Sequence, residues 1–222
     1  MSYEEQRVHV KVYGATPSSS PRLVRVPGVL GQARRLHTLA AQAFTGMAAA
    51  VERDLGLALA IASGWRAHRW ESREQYEAVL VKRFGSVREG RKWLAYNSPH
   101  ETGLAMDIGV GGLWPSRSTA PAQKQQPLHR WLVEHAHEHG WHPYKVEPWH
   151  WEYPLSLEAY ASGVVGPNDP GPPTPSFEPG DESAEEWALE DEDLVEAAEL
   201  SPEELTAFRE AAAAHEAAMA PG

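Results

Sequence analysis

Two short segments hold most of the residues able to do chemistry. The first is Ser98-Pro99-His100-Glu101-Thr102-Gly103-Leu104-Ala105-Met106-Asp107, the second Glu147-Pro148-Trp149-His150-Trp151-Glu152-Tyr153. In the first, His100 and Asp107 are separated by Gly103, and a glycine turn into a strand lets two such side chains converge. His150 offers a third donor. Two imidazoles and a carboxylate are a three-ligand set of the kind a catalytic zinc uses while keeping its fourth position open. Glu147, close to His150 in sequence, is then the spare carboxylate. It is placed to take a proton from the attacking water and return it to a leaving amine. Upstream, Ser63-Gly64-Trp65-Arg66 ends an apolar run. Arg66 is a permanent cation, suited to a developing oxyanion or a substrate carboxylate.

The remaining histidines suggest a rival cluster. His135, His137 and His139 stand close together, with His129 and His142 nearby. On a helix His135 and His139 share a face, but Ala136 stands where the helical zinc motif H-E-x-x-H needs its glutamate. The group therefore reads as a polar helix face. Glu152 shares the His150 side of a strand, which leaves it open between a support for that ligand and a plain acid. Trp149 and Trp151 alternate away from His150 and read as core. His68 and Tyr96 are open between lining the cleft and ordinary loop positions. The chain has no cysteine, which excludes thiolate metal sites, disulfides and a cysteine nucleophile.

These residues need elements to hold them. Val8–Tyr13 alternates and predicts a strand; Pro17–Arg22 reads as loop. Gly31 to about Asp54 reads as a helix stopped by Gly56. Leu57–Ala62 predicts a short core strand leading into Ser63-Gly64. Ser72–Phe84 and Val87–Leu94 read as helices, the second capped by Ser86 with Glu89 three residues on. Leu104–Ile108 reads as a strand, Leu113–Gln126 as a loop, and Pro127–His139 as a helix stopped by Gly140. Tyr144–Glu147 and Trp149–Tyr153 read as two strands meeting at Pro148. This mixture predicts an α+β domain.

The pattern S-x-H-x-x-G-x-A-x-D followed by E-x-W-H resembles the zinc D-alanyl-D-alanine carboxypeptidases. Their superfamily includes lysostaphin-like peptidases and the hedgehog signalling domain. Every fixed position is met, by Ser98, His100, Gly103, Ala105 and Asp107, then Glu147, Trp149 and His150. Ser63-Gly64-Trp65-Arg66 is similar to the family's S-G-[YF]-R, with Trp in the aromatic place. The resemblance spans roughly Leu57 to Pro154. It implies a small antiparallel sheet carrying zinc and flanked by helices. It implies Zn²⁺ on His100, Asp107 and His150, with Glu147 as general base and then acid. It implies that Arg66 stabilises the tetrahedral intermediate and that Ser98 helps hold the substrate, a stem peptide of peptidoglycan or its precursor. Ser98 also fits a plain capping position. The short stretch from Gly140 to Glu147 implies a reduced loop on one side of the site. Leu113–Gln126 (Trp114, Pro115, Arg117, Lys124) is a candidate replacement wall. A D,D-carboxypeptidase, an L-alanyl-D-glutamate endopeptidase or injected effector, and a catalytically silent zinc-binding module all remain open at this point.

Charge divides the 222-residue chain. From Phe177 on it holds 15 of the 31 acids and one of the 20 Lys+Arg, so that part carries −14 and the rest +3. Between them, nine of the fifteen residues from Gly166 to Gly180 are Pro or Gly, the composition of an extended linker. The predicted organisation is an N-terminal extension over 1–30, a catalytic domain over 31–165, a linker over 166–180 and an acidic, partly helical tail over 181–222. Ser201-Pro202-Glu203-Glu204 is a helix start ahead of the Ala-rich Leu205–Met219, and Ala184–Glu199 is a second candidate helix. The tail is a candidate for binding a protein partner. No apolar run approaches a membrane span, and no basic helix or aromatic–basic array points to nucleic acid. The polar start of the sequence lacks the features of a secretory signal. The expectation is synthesis in the cytoplasm, with action at the cell wall after release or delivery.

Overall fold

The computed structural model describes residues 13–144, 147–166 and 169. The strand expected over 8–13 and the two tail helices fall wholly or largely outside the described residues; Tyr13 itself is in no strand.

Strands β1 (Leu23–Pro27) and β2 (Ala33–His37) form an antiparallel ribbon, with Arg25 opposite Arg35. Helix α1 (Thr38–Leu55) follows at once. The helix expected from Gly31 thus begins seven residues later. Bonds to segments distant in sequence win over local propensity there: besides the β1 ladder, the Arg35 carbonyl accepts from Trp65 N–H (2.6 Å) and His37 N–H donates to the Gly103 carbonyl (2.9 Å). His37 is the N-cap of α1, its Nδ1 accepting from Leu39 N–H at 3.3 Å. Gly56 ends the helix in the left-handed conformation, as the sequence predicts.

The second sheet is antiparallel, in the order β3 (Ile61–Ser63), β4 (Ala105–Ile108), β6 (His150–Glu152) and β5 (His142–Pro143). Its register sets Asp107 opposite His150 on one side and Ser63 on the other. Met106, Ile108 and Trp151 lie in the main core with α1 residues Phe44, Met47 and Val51. The neighbours on each strand, Asp107 and His150, face the other way. The strand expected over Tyr144–Glu147 is earlier and shorter. Pro148 cannot donate to a ladder, and residues 147–150 are used by a turn in which Glu147 carbonyl accepts from His150 N–H (3.1 Å).

Helices α2 (Arg73–Phe84) and α3 (Val87–Gly90) match two expected starts, capped by Ser72 and Ser86, though α3 is shorter than expected. They pack around a separate small core of Trp70, Tyr76 and Leu80. The stretch read as loop over 113–126 contains one helical turn, α4 (Ala120–Gln123). Helix α5 (Pro127–His135) passes into a tighter 3₁₀ turn (Ala136–His139) before Gly140. Helix α6 (Leu157–Ser162) was not expected; its N-cap Ser156 accepts from Ala159 N–H at 3.1 Å. The described architecture is α+β. None of the described helices is long and apolar enough to cross a membrane.

Candidate active site

His100 sits in a 3₁₀ turn, Pro99–Thr102, that the sequence builds tightly. Ser98 Oγ accepts from His100 N–H (3.3 Å), while Glu101 Oε1 accepts from Ser98 N–H (3.0 Å), which closes a capping box. Gly103 then takes φ +73°, and a Cβ there would stand 2.6 Å from His37 N. Only glycine turns the chain into β4 so close to the start of α1. Four residues on, Asp107 projects from the middle of the sheet beside His150.

The three side chains meet. His150 Nδ1 lies 2.9 Å from Asp107 Oδ1 and 3.2 Å from His100 Nε2, and His100 Nε2 lies 3.3 Å from the same Asp107 oxygen. All three residues are buried. They form the one group of three or more His or acidic residues, among those described, whose donor atoms can hold a metal ion.

The surrounding bonds decide which nitrogens face inward. His100 Nδ1–H donates to the Gly64 carbonyl at 2.7 Å, and the Glu152 carboxylate lies 3.2 Å from His150 Nε2. Both imidazoles therefore turn a lone pair toward each other and toward Asp107. Two lone pairs at 3.2 Å beside a carboxylate repel unless a cation lies between them. The donor set thus fits a divalent metal. The electrostatics agree. Burial opposes charge on His150, yet its bonds to Asp107 and Glu152 push its pKa up to about 10, so without a metal a proton is held there. Burial, aided by the Arg66 cation, pulls His100 down to about 4. Burial alone would raise Asp107; His100, His150 and Arg66 hold it well below the usual carboxylate range.

A cavity of about 460 Å³ opens onto this group. Glu147, Arg66 and Ser98 all line it. Burial pushes Glu147 up to about 7, where a carboxyl group exchanges protons readily at neutral pH. Arg66 is about a third exposed and its Nη2 lies 3.7 Å from Asp107 Oδ2. Its N–H donates to the His100 carbonyl (3.2 Å), which ties the Ser63–Arg66 segment to the ligand turn. His68 also lines the cavity, its Nδ1 3.0 Å from Glu101 Oε1.

Every residue singled out for the site in the sequence is thus in one place. The Gly64 carbonyl was missed, since a main-chain acceptor leaves no mark on residue type. Glu101 was also missed as a partner of Ser98, although S-P-H-E is a readable capping signal. Glu152 does sit behind His150. In the rival cluster, His135 bonds the exposed Glu138, whereas His129 is buried rather than on an open face. Trp151 is fully buried, as expected of core. Of the candidate wall in 113–126, Trp114 lines the cavity; Pro115, Arg117 and Lys124 do not, though Arg117 lies over the lining Trp93 at 4.4 Å.

Two solved structures are similar over 71% of this chain. One is a mutant of the vancomycin resistance D,D-pentapeptidase VanY from a VanB-type resistance cassette, in complex with Zn(II) (19% identity, 94% of that chain, TM-score 0.43). The other is VanYB in complex with D-alanine-D-alanine (21% identity, 93% of that chain, TM-score 0.44). No curated protein matches the chain. The family model for VanY, D-alanyl-D-alanine carboxypeptidase, matches residues 33–156, more than half the chain and a span that holds every site residue above. The chain belongs to the VanY family of D-alanyl-D-alanine carboxypeptidases.

Proposed function

We propose that this protein is a zinc-dependent peptidase that hydrolyses the D-alanyl-D-alanine end of peptidoglycan stem peptides, in the wall or as precursors. The observation that supports it is the convergence of a His100–Asp107–His150 metal cradle, a buried carboxyl group and an arginine on one cavity. When bound, Zn²⁺ supplies a Lewis acid that polarises a peptide carbonyl and acidifies water.

The protein's own groups do the rest. Glu147 takes the proton of the attacking water and hands it to the departing amine nitrogen. Its burial keeps both protonation states within reach near neutral pH. The turn from Glu147 to His150 fixes the base against the cradle, because one main-chain bond joins the two residues. Arg66, beside Asp107, places a permanent positive charge where a carbonyl oxygen becomes an oxyanion. Ser98 Oγ accepts from His100 N–H, which leaves its own proton to donate to a substrate carbonyl.

The test is digestion of defined stem pentapeptides by the zinc-loaded full chain, with and without chelator, read by mass spectrometry. Chelator-sensitive release of a single D-alanine is the expected result. Cleavage at another bond would replace the carboxypeptidase reading with an endopeptidase one. No cleavage by zinc-loaded protein would refute the enzymatic reading and leave a binding module.

A further inference from the structure

Four arginines line the cavity, Arg34, Arg66, Arg69 and Arg91. Three have evident occupations. Arg66 faces Asp107, Arg91 Nη2 donates to Glu77 at 3.0 Å, and Arg69 lies over the Trp70 ring at 4.7 Å. Arg34 differs. It is half-buried on β2, and its bonds to described residues go to neutral acceptors: Nε–H to the Ala62 carbonyl (3.0 Å) and Nη2–H to Gln32 Oε1 (2.7 Å). No carboxylate among the described residues pairs with it, and burial lowers its proton affinity without any compensating anion. Its Nη1 donates to none of the described residues. A half-buried guanidinium held in place by neutral groups, with donors to spare at a cavity wall, is a receptor for an anion.

The wall around it is apolar. Ala62 packs against Trp114 and Val29, and Leu30, next in sequence, lines the same cavity. Leu30 is the one non-glycine among the described residues with a left-handed backbone (φ 59°), and its side chain stays exposed. A leucine held in that conformation costs energy and still leaves over a third of its surface open at the cavity, which points to a placement used for contact. The cavity of about 460 Å³ also holds more than two alanyl residues, whose side chains are single methyl groups.

We propose that Arg34, in a wall shared with Leu30 and Trp114, is a specificity residue that binds a carboxylate of the peptide substrate. This rests on the peptidase reading above and names what the site recognises besides the bond it cuts. Two carboxylates of such a peptide offer the chemistry, the free C-terminus and an acidic side chain upstream.

The experiment separates them. Full-length, zinc-loaded protein carrying Glu147→Gln, which holds peptides uncut, is titrated with four synthetic pentapeptides ending in D-Ala-D-Ala. They carry glutamate or glutamine upstream, and an acid or an amide at the C-terminus. One carboxylate-to-amide exchange is expected to weaken binding about tenfold, the worth of one charge-assisted hydrogen bond. Adding Arg34→Gln is expected to abolish the effect of that same exchange, and Arg34→Lys to restore part of it. Arg34→Met, which keeps the stem that lies over Gly28, repeats the comparison if the Gln variant folds poorly. Loss of the upstream preference identifies the side-chain carboxylate, and loss of the C-terminal preference the terminus. If Arg34→Gln weakens all four peptides equally, or none, the proposal is wrong. Failure of the wild-type chain to release D-alanine would overturn the proposed reaction and leave this binding comparison readable.

Discussion

The main-chain carbonyl of Gly64 accepts a 2.7 Å hydrogen bond from His100 Nδ1–H. One end of β3 thereby sets the tautomer and the ring plane of a metal donor on another segment. A Cβ at Gly64 would stand 2.3 Å from the Arg35 carbonyl oxygen, a main-chain atom that cannot swing aside. Gly64→Ala must therefore shift the strand end and its carbonyl. We expect zinc affinity to fall about 10- to 100-fold, as for other outer-shell losses. Competition with a chromophoric chelator measures it; unchanged affinity would mean that the carbonyl does not orient the ring.

Glu147→Gln removes the proposed proton carrier and keeps the shape. D-alanine release is expected to fall by about two decades or more, with zinc stoichiometry intact. Metal analysis and steady-state kinetics on one sample check both halves. Retained turnover would show that another group moves the proton.

Glu152→Gln tests the support behind His150, 3.2 Å from its Nε2. An amide accepts the same bond without the negative charge. Zinc affinity is expected to drop about tenfold, while the peptide preference at Arg34 stays as it was. A variant that binds zinc as the parent does would reduce Glu152 to a bystander.

Ser98 caps the ligand turn and is proposed to hold the substrate, and one pair of variants separates the two. Ser98→Ala removes the cap on the ligand turn and is expected to cost about 1 kcal/mol of stability, seen as a lower melting temperature. Ser98→Thr keeps the hydroxyl and is expected to recover it. If Ala lowers catalysis without lowering stability, the hydroxyl serves the substrate and not the turn.

His37, which is none of the three candidate metal donors, gives a pH signature of its own. Burial holds it neutral, with a pKa near 4 against the ordinary 6.5 of a solvated imidazole. Between those values the unfolded chain binds a proton that the folded chain refuses. The contribution of His37 is therefore complete above pH 6.5 and is lost as the pH falls toward 4, worth about 3 kcal/mol in all. His37→Asn keeps an N-cap acceptor and is expected to reduce the slope of that part of the stability–pH curve, to which the buried His100 and His129 also contribute. Denaturant melts across the window would show an unchanged slope if the reading is wrong.

The site was more legible in the sequence than the frame around it. His100, Asp107, Glu147 and His150 lie in short spacings fixed by local turns, a capped 3₁₀ turn and a tight turn at Pro148, so residue type and interval carry the geometry. Helices α2 and α3 were readable for the same reason, through Ser72 and Ser86. Strand β2 was not, because Ala33–His37 looks helical in isolation and becomes a strand only through partners at Leu23–Pro27. Arg34 gave no signal either: it is set apart by having no acid paired with it among the described residues, which spacing does not record.

Between Arg66 and His100 the chain makes a long excursion whose two ends are stitched by one main-chain bond, Arg66 N–H to the His100 carbonyl. Helices α2 and α3 hang from that neck with their own small core. Lengthening such a closed excursion costs little, since closure entropy grows slowly with length. The excursion supplies one side of the substrate wall, including Trp70 and Trp93, but none of the metal donors. A descendant of this protein can rebuild that side of the wall, and with it the choice of peptide, while the hydrolytic apparatus is inherited unaltered.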